Sequence, residues 1–166
     1  MVRRLTRMGL LTALALILFT VEAQIPPLVP IAGVKLGLAN IITVYAMFCL
    51  GPRDTFLILL SRIILGSVFA GNMMTIFYSF AGGMLCYVTM LAVRKILTEK
   101  QIWVCSVLGA IAHNIGQITA AVILARTAEL FVYLPVLLIS GMLAGLFTGL
   151  CAQVTIRHLK KISSDI

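Results

Sequence analysis

The chain has 166 residues, of which 61% are hydrophobic and 11% charged, and its formal net charge is +8. About 25% of the residues of an ordinary soluble domain are charged, so this composition excludes that class. Nucleic-acid binding would require basic residues on a solvated face with aromatic residues among them. Here the basic residues border long apolar runs, so we expect a multi-pass membrane protein in contact with a lipid bilayer, with no nucleic-acid partner.

The apolar runs predict an all-α membrane protein with six transmembrane helices in one compact bundle. A helix that crosses the hydrocarbon core needs about 20 predominantly apolar residues. An apolar run of this length must satisfy its backbone hydrogen bonds internally, which favours a helix. The approximate spans are residues 6–25, 36–51, 54–71, 73–94, 102–125 and 134–156, in a single membrane domain.

The basic residues predict the orientation of these spans. Ten of the 13 Lys and Arg residues lie before the first span, between spans two and three, between spans four and five, or after the last span. Basic residues accumulate on the cytoplasmic side of a membrane, so both termini are expected in the cytoplasm and the protein in the cell membrane. Residues 1–24 also resemble a signal peptide. We expect them to be retained, because a cleaved leader has a shorter apolar region and small residues before its cut site.

Two connections on the outer side are longer than the others. Residues 25–35 contain three prolines within five positions and are largely apolar. Proline cannot continue a helix, so this stretch is expected to be irregular, either a lid over an outward-facing pocket or a stiff connector. Residues 126–133 are expected to form a rim at the membrane interface.

Small residues recur at helical spacing and predict close helix contacts. Span six carries Gly141, Gly145 and Gly149, which could pack inside the bundle or against another protein. Gly9 and Ala13 form a similar face on span one, where partner docking and internal packing are both open. The four cysteines are scattered singly without a CxxC pair, so we expect packing roles and no metal site.

Polar residues within lipid are costly, so each needs a partner or a cavity. His113 and Gln117 share one helix face, and Arg62 reaches a similar depth on span three. We predict a polar pocket open to the outside. The alternative is a set of hydrogen bonds that hold the helices together. The candidate substrate-binding residues are Arg62, His113, Asn114, Gln117, Asn40, Lys35 and Asn72.

The sequence does not predict an enzyme. Prenyl-diphosphate synthesis uses aspartate clusters that hold magnesium. Asp54 and Asp165 are the two aspartates of this chain, and they lie far apart. A phosphate-cradling Gly-Lys-Ser/Thr loop and an HExxH zinc motif are both absent from the sequence. No catalytic residue, cofactor or metal is therefore expected.

Three runs resemble one family: PIAGVKLGLANI at 30–41, GSVFAGN at 66–72 with FAGG at 80–83, and HNIGQ at 113–117. This is the Gx transporter family, also labelled heptaprenyl diphosphate synthase component I. The chain is more distantly similar to the substrate-binding S component of energy-coupling factor (ECF) transporters. That similarity implies a ligand pocket beneath the loop after helix one. It also implies docking, through Gly9 and Ala13, to a transmembrane coupling protein driven by ATPase subunits.

The first hypothesis is therefore a transport subunit that binds a small nutrient or an isoprenoid- or quinone-related precursor. The second is a non-catalytic accessory component of heptaprenyl diphosphate synthesis. A carrier that works alone, coupled to protons or ions, is a third. It would use a carboxylate within the membrane, for which Glu22 and Glu129 are available near the outer surface.

Overall fold

The computed structural model describes residues 2–25, 37–71 and 73–164, which form α-helices joined by short connections. Six α-helices follow one another, and no strand occurs in these ranges, so the all-α prediction is confirmed there. The helices are α1 (Val2–Ala23), α2 (Asn40–Cys49), α3 (Pro52–Ala70), α4 (Met74–Val93), α5 (Ile102–Ala125) and α6 (Leu134–Ser164). Short 3-10 helices at Glu99–Gln101 and Ala128–Tyr133 precede α5 and α6.

By length and composition, four helical segments are able to cross a membrane: Val2–Ala23, Met74–Val93, Ile102–Ala125 and Ala128–Lys161. The helix α3 has 19 residues but includes the charged residues Arg53, Asp54 and Arg62. The helix α2 has 10 residues and is therefore about 15 Å long, half of a typical hydrocarbon core. The molecule is thus a helical membrane protein.

The helix α2 is shorter than the predicted span 36–51 because its first turn is delayed. Gly37 adopts a left-handed conformation with φ of +84°, which is incompatible with a continuous helix. Residues 38 and 39 form a turn, and the helix begins at Asn40.

The bounds of α3 follow from local sequence signals. Gly51 has φ of +98° and makes the tight turn after α2, and Pro52 occupies the first helical turn, where its missing N–H is not needed. Asp54 in the same turn complements the positive end of the helix dipole. The helix ends at Gly71, which is left-handed as many helix C-termini are.

The helix α5 is the centre of the bundle, since it packs most extensively against α4 on one side and α6 on the other. Close contact is possible because glycines remove side chains from both seams. Gly116 of α5 lies against the backbone of Ala81, and Gly145 of α6 lies against Val107 and Ala110. The helix α1 is peripheral and contacts mainly α3.

Two contacts of basic side chains lie at one end of the bundle, called here the basic end. Arg4 of α1 forms a bidentate ion pair with Asp54 at the start of α3. Arg94, after α4, donates to the carbonyl oxygen of Met47 in α2 at 3.0 Å. An apolar core lies next to this end, formed by Val44, Met47, Cys86, Met90, Ile102, Cys105, Ala152 and Ile156.

Candidate functional site

The polar site lies toward the opposite end of the bundle, where the last turn of α1 meets the start of α2. Glu22 is 5% exposed, and both of its carboxylate oxygens accept backbone hydrogen bonds. Gly37 donates to one oxygen, and Leu38 donates to the other at 3.0 Å. Glu22 therefore fixes the chain entering α2 against the end of α1.

Arg62 brings a positive charge to the same region from the middle of α3. Its side chain is 6% exposed, and Glu22 attracts it electrostatically. The ring of Phe19 in α1 packs beside it against Gly66, where an added Cβ would lie 3.2 Å from the ring. This glycine lets α1 approach α3 closely enough to place both charges at one site.

His113 and Gln117 reach the site from α5 and are held against α4 by a second glycine. A Cβ on Gly82 would lie 2.7 Å from Cγ of Gln117 and 3.0 Å from Nδ1 of His113. Both side chains are buried, as their spacing of four residues on one helix face predicts. The small residue at position 82 is therefore the reason that these two polar groups fit between the helices.

These groups enclose one small cavity. Its volume is about 20 Å³, which suffices for a single water molecule. It is lined by Phe19, Glu22, Gly37, Arg62, Ile63, Ser79, His113 and Gln117. The structure thus brings together three of the candidate residues, Arg62, His113 and Gln117.

Several buried polar atoms at this site have no hydrogen-bond partner within the described ranges. They include Nδ1 of His113, Oε1 of Gln117, and both Nδ2 and Oδ1 of Asn40. Asn40 lies next to the cavity, because a Cβ on Gly37 would contact its Nδ2 at 2.8 Å and the His113 ring at 3.3 Å. Buried polar groups are nearly always hydrogen-bonded in proteins, so such a cluster is typical of a place that binds water or a ligand.

Asn114 is separate from this cluster. Its Nδ2 donates to the carbonyl oxygen of Leu137, and its side chain fills the space beside Gly141. The structure therefore places Asn114 in the seam between α5 and α6 and not in the cavity lining. This contact is an interhelical hydrogen bond, the kind of interaction that the sequence offered as the alternative to a pocket.

Lys35 and Asn72 lie outside the residues that the structure describes, as does most of the proline-rich segment 25–35. Gly9 and Ala13 are described, and both are exposed on α1. An added Cβ on Gly9 would meet nothing within 4 Å. This face of α1 is not used for packing within the described part of the bundle.

Five cavity residues were not among the candidates: Glu22, Gly37, Ser79, Phe19 and Ile63. A carboxylate in an apolar span is a recognisable signal, but the sequence placed Glu22 near the outer surface and did not pair it with Arg62. Gly37 and Ser79 are small residues, which in an apolar span are equally typical of close helix packing. Phe19 and Ile63 resemble any apolar residue of a span, so no sequence signal distinguishes them.

A second cavity is an apolar groove of about 540 Å³ between α4 and α5. Its wall includes Phe77, Phe80, Met84, Leu85, Val88 and Ile123. It is separated from the polar cavity by the close contact of the α4 and α5 backbones, where a Cβ on Gly116 would lie 2.6 Å from the carbonyl oxygen of Ala81.

The bundle of apolar helices, the basic helix ends and the buried polar cluster define a polytopic helical membrane protein with an internal polar cavity. Residues 11–155 match the model of the family described as Heptaprenyl diphosphate synthase component I. The match covers most of the chain, so the protein belongs to this family, also called the Gx transporter family. Neither the curated proteins nor the solved structures include a match to this chain.

Proposed function

We propose that the protein is the membrane-embedded substrate-binding subunit of an ECF-type uptake transporter. It would cross the cell membrane six times with both termini in the cytoplasm, and it would not be an enzyme. The observation that carries this proposal is the convergence of Arg62, His113 and Gln117, together with Glu22, on one cavity. Ionisable groups inside a membrane bundle commonly mark a substrate or ion path.

The residues of the cavity supply complementary binding groups. The planar guanidinium of Arg62 can donate two parallel hydrogen bonds to a carboxyl or carbonyl group of a ligand. The amide oxygen of Gln117 accepts, and the imidazole of His113 provides one donor and one acceptor when neutral. Phe19 and Ile63 supply apolar walls. A ligand larger than water would require these side chains to move apart.

Uptake would need energy from partner subunits, because the sequence has no phosphate-cradling loop. The exposed Gly9 and Ala13 face of α1 is the proposed docking surface for the transmembrane coupling protein. Exposed apolar residues flank it, including Leu5, Leu10 and Ile17, which lipid or a partner helix could cover.

Ligand retention tests this proposal. The subunit, purified in mild detergent from its native cells, should carry a small molecule that is detected by mass spectrometry. Arg62→Ala and His113→Ala should each lower its amount about tenfold, as expected for loss of a buried polar contact. His158→Ala is the matched control, because His158 is exposed on α6. Equal retention by all four proteins would contradict the assignment of the site.

The second candidate is an accessory component of heptaprenyl diphosphate synthesis. The family description supports it, and the apolar groove between α4 and α5 has the lining that a prenyl chain would contact. Co-purification separates the two candidates. A coupling protein with its ATPases supports the transport subunit, and a soluble prenyltransferase supports the accessory role.

A further inference from the structure

The first two turns of α1 carry three arginines, of which the structure pairs one with an acid. Arg4 forms its bidentate ion pair with Asp54 at the start of α3. Arg3 and Arg7 are exposed, and the described part of the chain brings no carboxylate within ion-pair distance of either. They are four residues apart, so both side chains lie on one face of α1. Two guanidinium groups are therefore presented side by side at the edge of the bundle.

This pair of arginines does not stabilise α1 by itself. Like charges four residues apart on a helix repel each other. Cations near a helix N-terminus also oppose the helix dipole, and the first turn of α1 contains no acidic residue. An anion bound by both arginines compensates these effects. The planar guanidinium group matches a phosphate group, to which it can donate two parallel hydrogen bonds.

The same face of α1 is apolar beyond the arginines. Successive residues of an α-helix are separated by about 100°, so positions 3, 7, 10, 14, 17 and 21 fall within about 80° of one another. The last four of these positions hold exposed apolar residues, namely Leu10, Leu14, Ile17 and Val21. The Gly9 and Ala13 face, proposed above as a docking surface, is rotated by about 110° from this one. The arginine face is thus a separate surface with a charged end and an apolar body.

The position of the arginines along α1 matches the depth of lipid headgroups. This helix has 22 residues and is about 33 Å long, close to the thickness of about 30 Å of a hydrocarbon core. Its first turns then lie where hydrocarbon gives way to headgroups. We infer that Arg3 and Arg7 bind the phosphate group of an anionic phospholipid, whose acyl chain packs along Leu10 and Leu14. This site is separate from the polar cavity, so it does not depend on the proposed function.

Lipid titration of the subunit purified in mild detergent tests the inference. The probes are phosphatidylglycerol and phosphatidylcholine with the same acyl chains, and native mass spectrometry measures the bound lipid. The wild type should bind phosphatidylglycerol about tenfold more tightly than phosphatidylcholine. Arg3→Gln combined with Arg7→Gln should remove this preference. Lys95→Gln combined with Lys100→Gln is the matched control, because it removes two exposed charges between α4 and α5 and should keep the preference.

Several outcomes of the titration would overturn the inference. One is equal binding of the two lipids by the wild type, and another is equal loss of the preference in both double variants, which indicates a diffuse attraction to basic residues. Displacement of phosphatidylglycerol by excess inorganic phosphate would show that a free anion suffices. Asp165 lies outside the described residues, and Asp165→Asn should leave the affinity unchanged. A higher affinity of that variant would mean that Asp165 already occupies the arginines.

The apolar part of the site is tested by its own variant. Leu10→Ala combined with Leu14→Ala should weaken phosphatidylglycerol binding about threefold, because apolar contact with the acyl chain is lost. Leu143→Ala removes an exposed leucine of α6 and should not change it. Unchanged binding by the α1 leucine variant would overturn the placement of the acyl chain.

An acidic protein is the alternative occupant of this face. If the arginine variant loses a co-purifying acidic protein and keeps its lipid preference, the face is a protein interface and the inference is wrong. Glutamine is a good helix former, so α1 should remain folded in the arginine variant. Thermal unfolding in the same detergent shows whether each variant is folded before lipid binding is compared.

Discussion

Gly82 positions the candidate site by what it lacks. Because Gly82 has no side chain, α4 leaves room for the side chains of Gln117 and His113 at this position. A Cβ added there would also lie 2.8 Å from the backbone oxygen of His113. A flexible side chain can rotate away from a new methyl group, but a helix backbone has to shift. The polar cavity therefore depends on a residue that has no side chain.

Gly82→Ala should lower the stability of the subunit by about 1–3 kcal/mol, because it overpacks a tight seam. The thermal midpoint in detergent should fall, and ligand retention should fall with it because Gln117 and His113 are displaced. Gly9→Ala is the control, since nothing lies within 4 Å of its added Cβ. A Gly82→Ala midpoint at or above that of Gly9→Ala would contradict the tight packing at this seam.

Sequence spacing predicted part of this site and missed part of it. His113 and Gln117 were paired correctly by their spacing on one helix face. Asn114, their neighbour in sequence, is rotated about 100° around the helix and contacts α6. Glu22 was not joined to Arg62, because the approach of α1 to α3 depends on tertiary contacts such as that of Phe19 with Gly66. The depth of a residue within a span can be counted from the sequence. Which helices face each other cannot be read from it.

At the scale of the helices, α5 and α6 form a seam without large side chains. The ridge Gly141, Gly145 and Gly149 faces α5, which agrees with packing inside the bundle. Ser106 and Thr148 add a hydrogen bond of 3.1 Å across the seam. The spacing of the glycines indicated a contact surface, and the structure identifies α5 as its partner.

Gly145→Val should be among the most destabilising substitutions in the chain. The new side chain would meet backbone atoms, namely Cα of Val107 at 2.9 Å and the carbonyl oxygen of Ser106 at 3.1 Å. We expect a loss of about 1–3 kcal/mol or more, measured as a lower thermal midpoint or as aggregation in detergent. Leu143→Val lies on the same helix but is 65% exposed, and it should leave the midpoint nearly unchanged.

The helix α1 is attached at both of its ends although its middle is largely exposed. Arg4 pairs with Asp54 at the basic end, and Glu22 holds residues 37 and 38 at the other. The two attachments fix the tilt of a helix whose buried residues are few. The ion pair is asymmetric, because the side chain of Asp54 is 7% exposed and that of Arg4 is 63% exposed.

Asp54→Asn should therefore lower the thermal midpoint modestly at low salt and by less at high salt, because salt screens an exposed partner. Arg53→Gln removes an exposed charge next to it and serves as the control. A second check is the exchange Arg4→Asp with Asp54→Arg, which should recover part of the midpoint. If the exchange recovers none of the midpoint, Asp54 acts through the helix N-terminus and not through Arg4.

For the whole molecule, the hydropathy pattern predicted the all-α architecture, because each helix is bounded by strong breakers or charges such as Pro52 and Gly71. The length of α2 was not predictable to the same degree. The start of that helix depends on Gly37, whose left-handed conformation is stabilised by contacts with Glu22. The distribution of basic residues gives every helix end a predicted side of the membrane.

That orientation is tested by cysteine labelling in intact cells after the native cysteines are replaced by alanine. Met73→Cys lies at the predicted outer end of span four and Glu129→Cys in a predicted outer connection. Thr98→Cys and His158→Cys lie in predicted cytoplasmic segments. A membrane-impermeant maleimide should label the first pair directly and the second pair only after the cells are permeabilised.

A fifth position distinguishes six crossings from four. The helix α2 is about 15 Å long, and α3 contains three charged residues, so these two helices are the weakest candidates for crossing. If both returned without crossing, α1 would still carry the chain outward and α4 would begin on the outer side, but Asp54 would lie far from Arg4 and their ion pair could not form. The connection between α2 and α3 distinguishes these cases, because Gly51 lies outside with four crossings and in the cytoplasm with six.

Gly51→Ser is tolerated poorly at φ of +98°, so Arg53→Cys, which is exposed, is the better probe. Labelling of Arg53→Cys in intact cells would contradict the six-span topology, whereas labelling only after permeabilisation would support it.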